Sequence, residues 1–291
     1  MNGMPTDPAQ AGSCVAALQM NSGADRAANL TAAARLLRQA RARGARLALL
    51  PENFSLMAQR DADRRSLAEA DAAGPVQEFL ARSARELGMW IIAGSVPLAN
   101  APGERVSQSC LVYDEQGARR ARYDKIHLFD VELPDRAESY RESAHMAPGS
   151  AVVAVDTPAG RVGLSVCYDL RFPELYRGLE AAGARWLVVP AAFTAATGEA
   201  HWELLLRARA IENLCYVVAA AQCGVHPNGR RTWGHSMIID YWGRVLAQLA
   251  EGEGVVSAPI DLAAQAAARA KFPALAHRVE LLRGQPEVQL A

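Results

Sequence analysis

The chain has 291 residues, 31 basic and 31 acidic side chains, and a formal net charge of zero. With 51% hydrophobic residues it can bury a sizeable core, which excludes a disordered or low-complexity chain. The charge balance argues against a nucleic-acid or membrane surface, which needs clustered excess Lys and Arg.

In chain order, 1–12 lacks the basic and apolar regions of a signal peptide and reads as a flexible leader. Residues 13–20 (SCVAALQM) form a short apolar run suited to a buried strand. A helix is predicted over 25–44, with Leu30, Ala33, Ala34 and Leu37 at three-to-four spacing and Gly44 as its stop. A second strand, 47–50, ends at Pro51. The helix pattern at 75–87 has Pro in its first turn and Gly88 at its end, and strand 89–96 follows. Segments 109–114 and 119–125 flank EQGA, and 152–156 and 161–166 flank TPAG, giving two hairpins. A helix at 172–182, a strand at 186–189, a helix at 200–213 and a strand at 216–222 then alternate. Residues 233–240 and 245–249 bracket a third hairpin turn, YWGR, and 262–270 is the last helix.

No apolar run approaches the ~18–20 residues of a membrane-spanning helix. Five widely spaced cysteines, an odd number, read as reduced thiols of a cytoplasmic protein. Helices alternating with strands and hairpins predict an α/β fold with mixed sheets. Roughly ten to twelve strands would strain one open sheet, so two sheets between helix layers are expected. One domain over 13–278, with a tail at 279–291, is the expected organisation.

Three segments carry candidate chemistry. In RVGLSVCYDLR an apolar strand runs into Cys167, with Pro173 opening the next helix. A strand end just before a helix N-terminus is a ligand-binding position, and the helix dipole there favours a thiolate. Cys167 stands where a serine nucleophile elbow would have its last Gly, which makes a serine hydrolase a poor fit. A buried core thiol is the bland alternative. In LALLPENF a strand delivers Glu52 to a sheet edge, either as a solvated loop carboxylate or as a base whose pKa desolvation raises. In RYDKIHLF a strand ends at Lys125, one of only two lysines beside 29 arginines. A compact ammonium suits an oxyanion in a tight pocket. No histidine stands out as the base. Cys223 and His226 have ligand-like spacing without a second pair, so no metal site is expected. Singly, each residue has a duller explanation; together, a thiol, a carboxylate and an ammonium at three strand ends describe one pocket.

LPENF, YDKIHLF and GLSVCYDLRFPELYR resemble the signature segments of the nitrilase superfamily, the carbon–nitrogen hydrolases. The resemblance runs from about Ser13 to Arg278, and three separated motifs in order make it specific. It implies a four-layer α-β-β-α sandwich and a catalytic triad of Glu52, Lys125 and Cys167. Glu142, in RES followed by PG, takes the place of a further family glutamate. HLFDVELP, AHWELLLRARAIENLCYVVAAAQCG, GHSMIIDYWG and FPALAHR are similar to the Nit-like branch, whose amidases act on deaminated glutathione. The similarity departs after Arg278.

The implied chemistry is hydrolysis of a small carboxylic-acid amide to acid and ammonia through a thioester, with no metal or organic cofactor. Tyr168, through its backbone N–H, joins Lys125 at the oxyanion. Arg171 and the loop 192–197, with Phe193 and Thr194, are expected at the substrate. The expected partners are a small-molecule amide and a second copy of the chain, as a homodimer or higher even oligomer, without nucleic acid or membrane. Alternatives are an ω-amidase acting on 2-oxoglutaramate, a nitrile or N-carbamoyl hydrolase, and a non-catalytic binding protein.

Overall fold

The structure is a computed structural model, describing residues 13–59, 61–101, 104–132 and 139–279. The leader at 1–12, the last two residues of HLFDVELP and the tail after 279 lie outside the described residues.

Strand β1 (Ser13–Gln19) leads to α1 (Arg26–Ala42), which Asp25 caps by accepting the N–H groups of Ala27 and Ala28. Then come β2 (Leu47–Leu49), the short α2 (Asp61–Ser66), α3 (Pro75–Leu87) and β3 (Trp90–Leu98). Gly88 ends α3 in the left-handed region at φ 54°, as a C-terminal glycine should. The hairpin of β4 (Val106–Tyr113) and β5 (Arg119–Asp124) precedes the short β6 (Asp130–Glu132), β7 (Ser139–Arg141) and β8 (Met146–Ala147). A second hairpin, β9 (Ala154–Thr157) and β10 (Gly160–Leu164), leads to α4 (Pro173–Ala181), β11 (Trp186–Ala191), α5 (Ala195–Asn213) and β12 (Tyr216–Ala221). The chain continues through β13 (Cys223–Val225), β14 (Arg231–Trp233), β15 (Ser236–Ile239), β16 (Val245–Leu249), β17 (Gly254–Ile260) and α6 (Leu262–Lys271).

Two mixed sheets result. One has the order β17-β1-β2-β3-β4-β5, with β8 beside β4, and the other β16-β15-β12-β11-β10-β9. The two-residue period of a strand explains the layering. Val15, Ala17, Leu47, Leu49 and Ile92 pack toward the second sheet, in one core with Tyr176 of α4 and Trp202 of α5. The alternate residues Ala16, Leu18, Ala48 and Ile91 pack against Leu36 and Leu37 of α1 and Phe79 and Leu80 of α3. The order of layers is helix, sheet, sheet, helix, as the resemblance implies.

Three expectations are revised. β17 lies antiparallel to β1 along its whole length, Ser13 opposite Ile260 and Gln19 opposite Gly254, although GVVSAPI was not read as a strand. The segment 233–240 is not one strand, because Gly234 and His235 adopt positive φ and separate β14 from β15. Helix α5 begins at Ala195 instead of 200, so the expected loop 192–197 is loop only as far as Thr194. Among the described residues no helix is long and apolar enough to cross a membrane.

Candidate active site

In each sheet the central strands run parallel, β1-β2-β3 in one and β10-β11-β12 in the other. Ligands in such sheets bind beyond the carboxyl ends of the strands. Glu52 follows β2, Lys125 follows β5, Cys167 follows β10 and Phe193 follows β11, and all four line one open cavity.

Glu52 is delivered by a tight turn. Leu50 still donates its N–H to Ile92, Pro51 has none to give, and Asn53 takes the left-handed region at φ 58°, which Asn tolerates. Gly94 in β3 makes room for this turn, since a Cβ there would stand 2.2 Å from the Pro51 carbonyl oxygen. The Asn53 N–H then donates to Ser95 Oγ at 3.0 Å, fixing the turn.

Cys167 itself sits at φ 49°, a strained conformation for a residue with a Cβ, and opens a short 3₁₀ turn, Cys167–Arg171. Asp169, fully buried, holds that turn. Its carboxylate accepts from the Val166 N–H at 2.8 Å, Tyr123 O–H at 2.6 Å, the His127 N–H at 3.0 Å and His127 Nδ1 at 2.7 Å. Arg209 donates twice to the Leu170 carbonyl, at 3.0 and 2.8 Å, and clamps the far end. Ser165, two residues before the thiol, is buried on Tyr176 Oη and the Val188 carbonyl and takes no place in the cavity lining, which leaves a serine nucleophile without support.

The electrostatics follow from charged side chains that are largely buried together. Lys125 Nζ donates to Glu142 Oε2 at 2.8 Å and Glu52 Oε1 at 3.1 Å. Burial opposes its charge, but Glu142 and then Glu52 more than offset this, and the ammonium is held well above its ordinary pKa. Burial also works against the Glu52 carboxylate. Lys125 and hydrogen bonds from Cys167, Lys125 and the Ala192 N–H, the last at 2.8 Å, outweigh it and leave Glu52 below its ordinary value. The raised pKa expected of Glu52 is therefore corrected: the carboxylate is ionised at rest. Burial and the Glu52 charge push the Cys167 thiol far up, with Lys125 pulling the other way. The expected dipole-held thiolate is corrected too, because α4 starts only at Pro173 and the resting sulfur keeps its proton, hydrogen-bonded to Glu52.

Glu142 opens a short 3₁₀ turn and also accepts the Phe129 N–H at 2.7 Å. Tyr168, Phe193 and Thr194 line the cavity, whereas Arg171 is not among the lining residues. Its guanidinium covers the Phe193 ring at 5.1 Å and the Tyr168 ring at 5.9 Å. Phe129, Tyr140, His145 and Arg230 also line the cavity and were not singled out. They come from loops and short strands that carry no periodic signal. His226 uses both ring nitrogens on oxygens of Ser22 and Thr232, so CGVH is not a ligand pair, and no metal-binding cluster occurs among the described residues.

Residues 14–270 match the carbon–nitrogen hydrolase family. This chain belongs to that family. The hydrolase is 44% identical over 264 residues to the deaminated glutathione amidase of Yersinia enterocolitica, covering 90% of this chain and 92% of that one. It is 43% identical over 267 residues to the deaminated glutathione amidase of Homo sapiens, covering 91% and 81%. Its fold superposes on the crystal structure of the C. elegans NitFhit protein with a TM-score of 0.86 at 39% identity. That match covers 92% of this chain and 65% of the longer one.

Proposed function

We propose that this hydrolase cleaves deaminated glutathione through a thioester on Cys167. The observation that carries this is the convergence of a thiol, an ionised carboxylate and an ammonium in one buried cleft. The likeness to deaminated glutathione amidases supports the choice of substrate.

Glu52 takes the thiol proton as Cys167 Sγ attacks the amide carbonyl carbon. Lys125 Nζ and the Tyr168 backbone N–H receive the oxyanion, each such donor contributing roughly 3–4 kcal/mol. Collapse breaks the C–N bond, and Glu52 returns the proton to the departing nitrogen. Deaminated glutathione is a secondary amide, so that nitrogen belongs to cysteinylglycine, and a 2-oxoglutaryl thioester stays on Cys167. Release of ammonia, the product expected from the sequence, belongs to primary amides such as 2-oxoglutaramate. Water then gives a proton to Glu52 and its oxygen to the thioester carbon. The Cys167 thiolate departs and recovers that proton, leaving 2-oxoglutarate.

Glu142 acts by fixing the Lys125 ammonium. Tyr168, Phe193 and Thr194 wall the substrate, and Arg171 acts through the two rings it covers. The same proposal takes 13–278 as one catalytic domain without a metal or organic cofactor, working in the cytoplasm as a homodimer or higher even oligomer. Leu204 and Ile211, exposed on α5, favour such pairing.

The test sets cysteinylglycine release from deaminated glutathione beside ammonia release from 2-oxoglutaramate, with Cys167→Ala as control. A kcat/KM strongly favouring deaminated glutathione, lost in the variant, is expected. Preference for 2-oxoglutaramate would keep the mechanism and reject the substrate. Full turnover by Cys167→Ala would reject the mechanism.

A further inference from the structure

The lining of the cavity extends from Cys167, Glu52 and Lys125 to Tyr140 and His145, and three of its lining side chains are Lys or Arg: Lys125, Arg141 and Arg230. Lys125 is committed to two carboxylates, and Arg141 faces the charge of Asp130. Arg230 has no ion pair among the described residues. Its guanidinium lies over the Tyr140 ring, 4.4 Å from the centroid. Stacking occupies the face of a guanidinium and leaves its N–H edge for a bidentate acceptor, the geometry that a carboxylate matches.

The backbone that carries Arg230 is firmly held. Its N–H donates to Asn228 Oδ1 at 3.0 Å, and its carbonyl accepts the His226 N–H at 2.9 Å. Asn228 Nδ2 donates to the Ala58 carbonyl at 3.0 Å, tying the turn to the segment that follows Glu52. On the other side, Thr232 pairs with Thr194, and the Trp233 N–H donates to the Phe193 carbonyl at 3.0 Å. Arg230 is thus positioned before any substrate arrives.

In that mechanism Glu52 protonates the departing nitrogen, and the Arg230 turn is tied through Asn228 to Ala58, in the loop that carries Glu52, which directs the amine half of the substrate toward Arg230. We propose that Arg230 forms a carboxylate subsite for the leaving group, taking the C-terminal carboxylate of a peptide-like amine. This rests on the substrate assignment above, and it makes Arg230 the residue that distinguishes peptide amides from simple primary amides.

The test uses the full chain with deaminated glutathione, the same molecule carrying a C-terminal carboxamide, and 2-oxoglutaramate. Within each enzyme the readout is the ratio of kcat/KM for carboxylate over carboxamide, from which any general loss of folded enzyme cancels. The native enzyme should prefer the carboxylate by about 10–100-fold, mostly through KM. Arg230→Ala should bring the ratio close to one, and Arg230→Lys should restore part of it. A native ratio near one, or a ratio that survives Arg230→Ala, overturns the subsite. Native turnover of 2-oxoglutaramate alone would instead defeat the substrate assignment, and the subsite with it.

Discussion

In the proposed mechanism Glu52 both accepts the Ala192 N–H and serves as the base, and Glu52→Gln separates the two. Gln keeps the volume of the side chain and an oxygen for the Ala192 N–H, while Lys125 retains Glu142 at 2.8 Å. What disappears is the proton acceptor hydrogen-bonded to Cys167. In the native enzyme the reactive state, thiolate with protonated Glu52, holds as many protons as the resting state, thiol with ionised Glu52. Alkylation of Cys167 should therefore be nearly flat from about pH 6 to 9, above the lowered pKa of Glu52. In Glu52→Gln the proton must leave to solvent. Alkylation should then climb about tenfold per pH unit until the thiol titrates. Amide turnover should drop by about 10²–10⁴-fold, the usual contribution of a positioned base. Iodoacetamide labelling read by peptide mass at Cys167, alongside kcat, measures both. A flat alkylation profile in the variant, or turnover within tenfold of native, would refute Glu52 as the base.

Gly94→Ala places a methyl group 2.2 Å from the Pro51 carbonyl oxygen, where backbone must yield. A loss of about 1–3 kcal/mol is expected, with a lower Tm in a thermal melt and a kcat that falls further than the loss of folded protein explains. Acid should act through Glu52 in a definite direction. Its folded pKa lies below the ordinary 4.5, so the unfolded chain takes up protons first as pH falls. The stability that Glu52 contributes is complete above about pH 4.5 and is lost as pH drops through the folded value. Tm measured from pH 6 to 3 should show this decline, and Glu52→Gln should make it shallower.

The strands that deliver Glu52, Lys125 and Cys167 were legible because apolar runs end at Pro51 and Cys167 and a hairpin strand ends at Lys125, marks that survive without any tertiary information. The layer order was legible for the same reason, since strand and helix periods differ. β17 escaped because Gly254 and the glutamates before it read as a loop, and Pro259 demotes a strand. Pro259 is tolerated where it is because β17 forms the edge of its sheet. The protonation of the site could not be read locally. A carboxylate in an apolar pocket is raised, and although the motifs placed Lys125 in the same pocket, only the contacts of Glu52 with Lys125, Cys167 and the Ala192 N–H decide that the charge wins over burial. Arg230 and Asp169 escaped for a related reason: their meaning lies in Tyr140, Tyr123 and His127, each far away along the chain.

The pairing of Ser13 with Ile260 puts the first strand among the described residues next to the last. While the chain is being synthesised, β1 can join β2 early, but its other edge waits until β17, more than 230 residues later, has emerged. Completion of the first sheet is therefore a late, non-local event, and such closures are slow. In the interval the β1 edge stays open to pairing with other strands, which makes the nascent chain aggregation-prone. A truncation that removes β17 makes that hazard permanent, although it spares every residue around Cys167.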